Sequence, residues 1–329
     1  MANSSNNNVK PILQQQSSII DELDKIEKFF QQLQKPKNLY EIRDRAHRFC
    51  QQNLDRKIVL ITSGGTTVPM EHNTVRFIDN FSAGTRGSAS VEYFFDTNKY
   101  AVIFLYRQKS LEPFSRHFDG LLSNLKYDPT NDRIEVSEKI RPKLVQILTK
   151  MNETSNRLLK ITFTTLSEYL FILRELTALL KPYESRVMLY LAAAVSDFYI
   201  PPDNMAVHKI HSNGPLRLHF EMVPKILRPL VKFWVPDAFV ISFKLETEAE
   251  ILLEKAREAL NRYGHKLVIA NELNTRKWKV ILVTADESEE IEIDPNSNQL
   301  EIEQLIVANV IRRHEKFIDN HREQNSLKK

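Results

Sequence analysis

The sequence predicts an α/β fold in three layers, with a mostly parallel sheet and helices on both of its faces. From residue 57 onward, short apolar runs typical of buried strands alternate with stretches of helical periodicity. This alternation is the pattern of a parallel sheet that is covered on both sides. Near the end, two strand-like runs at 279–284 and 291–293 flank an acidic turn. They predict a terminal β-hairpin, which a last helix at 301–318 follows.

The order of the elements is Rossmann-like, because strands and helices take turns along the chain. Between several predicted strands lies one stretch with helical spacing of apolar residues. The predicted strands are 58–62, 100–106, 158–164, 186–193, 238–243 and 266–270, and the predicted helices are 86–96, 137–152, 166–181, 224–234 and 247–262. Residues 108–136 contain prolines and glycine and predict an irregular loop.

The regions outside this alternation differ in composition. Residues 1–18 are rich in Asn, Gln and Ser, which predicts a disordered N-terminus. Residues 19–54 carry helical periodicity in two stretches and predict a helical extension packed on the main domain. We therefore expect a single domain at 55–320 and a polar tail at 321–329 that frays.

Composition excludes several classes of protein. The 46 basic and 42 acidic residues are interspersed and leave a net charge of only +4, so no nucleic-acid partner is expected. Cys50 is the only cysteine, which excludes an intrachain disulfide and indicates a reducing compartment. No apolar run reaches the roughly 18 residues that a membrane span needs. We expect a cytoplasmic protein without a membrane partner.

The glycines are concentrated after the first predicted strand. Of seven glycines, Gly64, Gly65, Gly84 and Gly87 lie in this window, and the last two precede a predicted helix. Accessible backbone N–H groups and a helix dipole favour an anion, so the window predicts a phosphate site; ordinary turn glycines are the alternative. Neither G-x-x-x-x-G-K-[ST] nor G-x-G-x-x-G is present. A nucleotide would therefore bind in a less common way.

Polar and small residues end three of the later strands, where ligands bind in sheets of this kind. Ala193, Ala194 and Asp197 would let a ligand approach the backbone, although helix packing and an Asp cap would explain them equally well. The amide of Asn271 could read the edge of a base, or it could belong to a turn. Phe243 could stack on a base, or it could be part of the core.

Three further residues are candidates on chemical grounds. Asn80 could donate from its amide to a carboxylate, and Ser82 could hold a phosphate, unless both are simply capping residues. Lys209 lies in a proline-containing loop and could deliver a mobile positive charge to a phosphate or an oxyanion, or it could be a solvated surface lysine. The nine histidines show no metal-ligand spacing, and no G-x-S-x-G elbow occurs.

Taken together and in this order, the motifs resemble the phosphopantothenate–cysteine ligase family, in its eukaryotic, stand-alone form. The resemblance covers about residues 55–318. The segments that carry it are Thr62-Ser-Gly-Gly-Thr66, Val75-Arg-Phe-Ile-Asp-Asn-Phe-Ser-Ala-Gly84, Leu191-Ala-Ala-Ala-Val-Ser-Asp-Phe198, His208-Lys-Ile210, Ile241-Ser-Phe-Lys-Leu-Glu-Thr247 and Ala270-Asn271.

The resemblance implies an enzyme of coenzyme A biosynthesis that joins 4′-phosphopantothenate to L-cysteine through an acyl-adenylate, with release of pyrophosphate and AMP. It implies ATP as co-substrate, CTP being less expected, together with Mg²⁺ and a homodimer. The 279–293 hairpin is a candidate for the dimer contact, and the sequence predicts no metal-ligating residues. It assigns Lys209 and Asn80 to catalysis. The nucleotide site would contain Gly64, Ser82, Gly84, Gly87, Phe243 and Asn271, and the phosphopantothenate site Asn80, Ala193, Ala194 and Asp197.

The chain departs from the bacterial pattern at two places. Ile210-His211-Ser212 replaces further lysines of a Lys-Ile-Lys-Lys loop, and Lys244-Leu245 replaces two alanines beside the base site. The second change favours the ATP-using eukaryotic branch. Two other classes remain as alternatives: a nucleotide-linked oxidoreductase, although Tyr106-Arg-Gln-Lys109 lacks its acidic ribose reader, and a relative that binds nucleotide without catalysis.

Overall fold

The computed structural model describes residues 9–118, 120–211, 214–296 and 301–327, with side chains from residue 20 onward. The strands are β1 Lys57–Ser63, β2 Thr67–Pro69, β3 Phe77–Asp79, β4 Tyr100–Arg107, β5 Leu125–Asp128, β6 Arg133–Val136, β7 Leu158–Phe163, β8 Val187–Leu191, β9 Phe198–Tyr199, β10 Glu221–Met222, β11 Phe239–Glu246, β12 Leu267–Glu272, β13 Lys279–Val283 and β14 Ser288–Glu292. The α-helices are α1 Val9–Gln32, α2 Leu39–Gln52, α3 Thr85–Phe94, α4 Arg141–Glu153, α5 Leu166–Leu180, α6 Leu227–Pro229, α7 Ala249–Tyr263 and α8 Ile302–Ser326.

The main sheet has eight strands in the order β14-β13-β12-β11-β8-β1-β4-β7. The six strands from β12 to β7 are parallel, and β13 and β14 add an antiparallel hairpin at one edge. The chain runs from β1 through β4 to β7 and then crosses back to β8 on the other side of β1. This reversal opens a crevice at the carboxyl ends of β1 and β8.

Alternate residues of the central strands point to opposite faces and build two hydrophobic cores. Ile58 and Leu60 of β1 pack with the layer that contains α2 and α5, whereas Val59 and Ile61 pack with the layer that contains α3 and α8. Each of these four side chains is almost fully buried. The predicted three-layer α/β fold with a terminal hairpin and an N-terminal helical extension is confirmed.

Several predicted boundaries differ from the structure. Helix α1 begins at Val9, within the segment that composition predicts to be disordered; residues 1–8 lie outside the described residues. Helix α8 continues to Ser326, beyond the predicted helix end at residue 318 and into the predicted polar tail. The last buried residue of α8 is Ile318, and beyond it the chain has neither Gly nor Pro to end the helix.

Two other stretches also differ from the prediction: 108–136 has more regular structure, and 224–234 has less α-helix. The segment 108–136 contains the hairpin β5–β6, which pairs Leu125 with Val136. The predicted helix at 224–234 is a short α-helical turn that continues as a π-helical turn, Leu230–Trp234. Across the described part of the chain, no helix is both long enough and apolar enough to cross a membrane.

Candidate functional site

The segments that follow β1 and β8 are joined by hydrogen bonds. Ala194 N–H donates to the carbonyl of Gly64 at 2.8 Å, and Thr66 N–H donates to the carbonyl of Ala194 at 3.0 Å. Ala193 N–H donates to the Thr62 hydroxyl at 3.1 Å. The glycine window and the alanine motif, which lie about 130 residues apart in sequence, are therefore joined by hydrogen bonds at the switch point of the sheet.

Asn80 is brought to this crevice by Gly65. The small hairpin β2–β3 ends just before Asn80, and Asn80 N–H donates to the carbonyl of Thr66 at 3.1 Å. A Cβ on Gly65 would lie only 1.6 Å from the Asn80 carbonyl oxygen. No side chain fits there, so Gly65 is required for the approach of Asn80.

The turn into α3 contains the second glycine pair. Gly84 is the N-cap of α3 with φ 81°, a conformation that favours glycine. Its carbonyl accepts from the Ser63 hydroxyl at 3.1 Å, and its N–H donates to the Ser82 hydroxyl at 3.4 Å. A Cβ on Gly87 would lie 2.5 Å from Ser63. Gly87 therefore lets α3 pack directly on the end of β1, a packing role that the sequence did not reveal.

Arg86 is a site residue that sequence reasoning missed. It lies in the first turn of α3, and its guanidinium donates to the Glu303 carboxylate at 2.8 Å and to the Asn271 side-chain oxygen at 3.3 Å. Burial raises the pKa of Glu303, although the positive charge of Arg86 opposes this shift. In the sequence, only the position of Arg86 between Gly84 and Gly87 suggests that it belongs to the site.

Asn271 is almost fully buried at the end of β12, and its amide is engaged within the protein. The amide nitrogen donates to the carbonyl of Ile269 at 3.1 Å, and the amide oxygen accepts from Arg86. In this arrangement Asn271 helps to hold the Arg86 guanidinium at the end of β12. The prediction that Asn271 reads a base stays a prediction.

Phe243 lies on β11, which neighbours β8, and Asp197 lies in the segment that follows β8. Phe243, on β11, is half-buried and packs edge-on against Tyr190 with ring centroids 5.0 Å apart. Asp197 is exposed and forms an ion pair with Lys225 at 2.6 Å. Lys225 therefore adds a positive charge beside the predicted phosphopantothenate site, and nothing in the sequence pointed to it.

Lys209 has an exposed side chain and lies in a segment that pairs with the loop preceding β3. His72 N–H donates to the carbonyl of Ala206 at 2.9 Å, and Asn73 N–H donates to the carbonyl of Val207 at 3.1 Å. The backbone on the amino-terminal side of Lys209 is therefore tied to the hairpin that carries Asn80. No group of three or more His, Cys, Asp or Glu that could hold a metal occurs among the residues that the structure describes.

Several known proteins are similar to this chain in sequence and in fold. A family model described as "DNA/pantothenate metabolism flavoprotein C-terminal domain" matches residues 174–314. A mouse protein named phosphopantothenate–cysteine ligase is 45% identical over 274 residues, which cover 80% of this chain and 88% of the mouse protein. Phosphopantothenate–cysteine ligase CAB2 of Saccharomyces cerevisiae is 40% identical over 322 residues, with 89% and 86% covered.

Solved structures agree with the sequence matches. A Cab2 histidine-to-alanine mutant has a TM-score of 0.82 at 40% identity, with 90% of this chain and 99% of that chain covered. A second structure, described as the same mutant in complex with phosphopantothenate-cysteine, has a TM-score of 0.81 at 39% identity, with 90% of this chain and 99% of that chain covered.

The parallel sheet, with a glycine-lined crevice at its switch point, defines an α/β domain, and residues 174–314 of it match the pantothenate-metabolism family model. The relatives at 40% identity and above extend over most of both chains. The chain belongs to the phosphopantothenate–cysteine ligase family, and the resemblance inferred from the motifs is confirmed.

Proposed function

We propose that this chain joins 4′-phosphopantothenate to the amino group of L-cysteine at the expense of ATP, as a step of coenzyme A biosynthesis. The observation that carries the proposal is the hydrogen-bonded junction of Gly64, Thr66 and Ala194 beneath Asn80. It supports the proposal because it joins Gly64 of the predicted nucleotide site to Ala194 of the predicted phosphopantothenate site. Family membership favours this ligase reaction over the oxidoreductase that a sheet of this kind would also allow.

The proposed reaction has two steps. A carboxylate oxygen of phosphopantothenate attacks the α-phosphorus of ATP, a P–O bond breaks, and pyrophosphate leaves. The cysteine amine then attacks the acyl carbon of the resulting acyl-adenylate, loses a proton, and displaces AMP. Two anions must meet in the first step, so neutralising and aligning them supplies much of the catalysis.

The chain offers groups suited to each task. The backbone around Gly64, directly after β1, and around Gly84, at the start of α3, can approach phosphates closely. Arg86 adds a positive charge beside this turn, held by Glu303 and Asn271. Asn80 can orient the attacking carboxylate without adding charge. Lys209 supplies a positive charge to the acyl centre in this proposal.

Magnesium enters the proposal with the nucleotide rather than as a protein-bound ion. The described residues contain no cluster of metal ligands, and Mg²⁺ commonly binds through substrate phosphates and water. For the base, ATP is proposed over CTP because Lys244, beside Phe243, is held by Glu246 at 2.9 Å where the bacterial pattern has alanine. Steady-state assays with ATP and CTP side by side test this preference.

The deciding experiment is pyrophosphate release that requires both phosphopantothenate and nucleotide. Asn80→Ala should lower the rate of acyl-adenylate formation by on the order of 10²–10³ because a positioning group is lost. Asn261→Ala, on the exposed side of α7, is the matched control and should be unaffected. Adenylate formation at the wild-type rate in a folded Asn80→Ala variant would contradict the proposed role.

We also propose that the protein is a homodimer. Phe77 and Phe81, on and after β3, and Met222 on β10 are large apolar side chains with exposures of 51%, 86% and 74%. Phe77 and Phe81 lie close together in the sequence at the end of one hairpin, and neighbouring exposed apolar side chains are typical of protein interfaces. The predicted hairpin β13–β14 instead carries charged side chains, including Lys279 paired with Glu290 at 2.8 Å, so it supports the dimer less well.

Light scattering tests this assembly. The wild-type protein should have the mass of a dimer at micromolar concentration, and Phe81→Glu should shift it towards the monomer. Leu122→Glu, at a residue that is 83% exposed outside this region, is the matched control and should leave the mass unchanged. A wild-type monomer, or equal effects of both variants, would contradict the proposal.

A further inference from the structure

Glu71 is a buried carboxylate in the 70–76 loop, which joins β2 to β3. None of its side-chain surface is exposed, yet both carboxylate oxygens have two donors each. Oε1 accepts from the Arg76 guanidinium at 3.0 Å and from Ile210 N–H at 3.4 Å. Oε2 accepts from Val75 N–H at 3.3 Å and from Arg76 N–H at 3.0 Å. Four donors make the burial of this charge tolerable.

The carboxylate of Glu71 keeps its charge in the folded protein. Burial alone would raise the pKa of Glu71, but the hydrogen bonds from the backbone N–H groups and from the Arg76 guanidinium outweigh it. The net effect is a pKa below the ordinary value of 4.5. The anion therefore persists at neutral pH as an acceptor for all four donors.

The pair of Glu71 and Arg76 holds the segment that contains Lys209. Ile210 N–H donates to Glu71, and the Ile210 carbonyl accepts from the Arg76 guanidinium at 3.2 Å. The two groups directly after Lys209 are thus fixed by one ion pair. On the other side of Lys209, Ala206 pairs with Glu71 in a short β-bridge. The segment is fastened both before and after the lysine.

The same loop leads directly to the other proposed catalytic residue. Met70 N–H donates to the carbonyl of Arg76 at 3.0 Å, which closes the loop and starts β3, and β3 ends one residue before Asn80. Glu71 therefore connects the loop that leads to Asn80 with the segment of Lys209, through a hydrogen bond to Ile210, which lies 139 residues further along the chain.

We propose that Glu71 is a positioning residue of the ligase reaction, which fixes the backbone at Ile210 and so holds Lys209 at the site. The inference rests on the proposed role of Lys209 but concerns a residue that does not itself touch the reacting atoms. It also corrects the picture of Lys209 as a mobile loop lysine, because the backbone on both sides of it is bonded.

The first test is a double-mutant cycle on turnover. Glu71→Gln keeps the shape of the side chain but removes its charge, and it should lower turnover by about tenfold or more. In the Lys209→Gln background the same change should cause no further loss, because its effect passes through the lysine. Glu71→Asp keeps the carboxylate and should recover part of the activity. Losses that multiply independently would overturn the proposal.

The second test reads the backbone directly, without activity. Trypsin cleaves after lysine, so the rate of cleavage between Lys209 and Ile210, relative to that after the exposed Lys277, reports how firmly the segment is held. It should rise about tenfold or more in Glu71→Gln. In the wild-type protein the Ile210 amide should be protected from hydrogen exchange, which can be measured even if the variant does not fold. An unprotected Ile210 amide, or unchanged cleavage in the variant, would overturn the proposal.

A matched control separates this effect from a general loss of charge. Glu315 pairs with Lys57 at 3.1 Å and with Lys99 at 2.8 Å, at the amino ends of β1 and β4. Glu315→Gln should leave turnover and cleavage after Lys209 unchanged. If Lys209→Gln alone has normal turnover, the proposed function of the lysine fails, while the cleavage and exchange measurements still decide whether Glu71 holds the segment.

Discussion

Substitution of Gly87 by alanine distinguishes a glycine that contacts a nucleotide from a glycine that packs. Its Cβ would lie 2.5 Å from the Cβ of Ser63, about 0.9 Å inside the 3.4 Å at which ordinary contacts begin. Either α3 or the end of β1 must move by that distance. The movement would strain the hydrogen bond from Ser63 to Gly84.

The size of the effect follows from opposing terms. Overpacking of this kind costs about 1–3 kcal/mol. Alanine gains up to about 1 kcal/mol over glycine inside a helix, and less in the first turn. The net loss in the free energy of unfolding should therefore be about 1–2 kcal/mol. Gly214→Ala is the control, because, apart from the adjoining residues, no atom of the described part of the chain lies within 4 Å of the added Cβ there.

Urea unfolding and nucleotide binding of a double variant complete this test. Ser63→Gly removes the atoms that the new Cβ would strike, so Gly87→Ala combined with Ser63→Gly should be less destabilised than the sum of the single changes by about 1 kcal/mol or more. If nucleotide affinity is lost in Gly87→Ala and returns in the double variant, the glycine acts through packing. Stability unchanged by Gly87→Ala, or a coupling energy near zero, would refute the reasoning.

Three further predictions follow from particular side chains. Arg86→Met removes the positive charge that Glu303 and Asn271 hold beside the glycine turn, so it should raise the KM for nucleotide by about tenfold. An unchanged KM in steady-state assays would remove Arg86 from the site. Lys209→Gln should leave nucleotide affinity nearly intact but raise the activation free energy of both half-reactions by about 2–4 kcal/mol. Adenylate should then be trapped in rapid-quench samples, and normal turnover at saturating cysteine would contradict this prediction. Burial lowers the pKa of His314 from 6.5 to about 4, so during acidification the unfolded chain takes up this proton at a higher pH than the folded protein does. The free energy of unfolding should therefore fall by up to about 3 kcal/mol as the pH drops from 6.5 to 4. Urea unfolding at several pH values should show a shallower fall in His314→Gln, and an equal fall would exclude this histidine as the cause.

The sequence determined the order and type of the main elements, because those depend on local periodicity. Apolar runs such as Ile58–Ile61 form a strand of the central sheet as predicted, and the hairpin and last helix follow in the expected place. Family membership was also readable, since motifs at strand ends keep their order. The end of α8 was not readable, because a helix without a breaker continues past its buried face.

Only the tertiary structure decided how the site is held. Gly65 and Gly87 resemble phosphate-loop glycines in sequence, and the structure adds a packing reason for each: a Cβ would lie 1.6 Å from the Asn80 carbonyl oxygen at Gly65 and 2.5 Å from the Ser63 side chain at Gly87. Glu71 looks like an ordinary loop carboxylate. Its role depends on Ile210, a partner brought near by the fold and not by the chain. Contacts between segments that are distant in sequence produce no periodic pattern in the residues that form them. Sequence patterns therefore identify the helices and strands, whereas only the packing shows which residues hold them together.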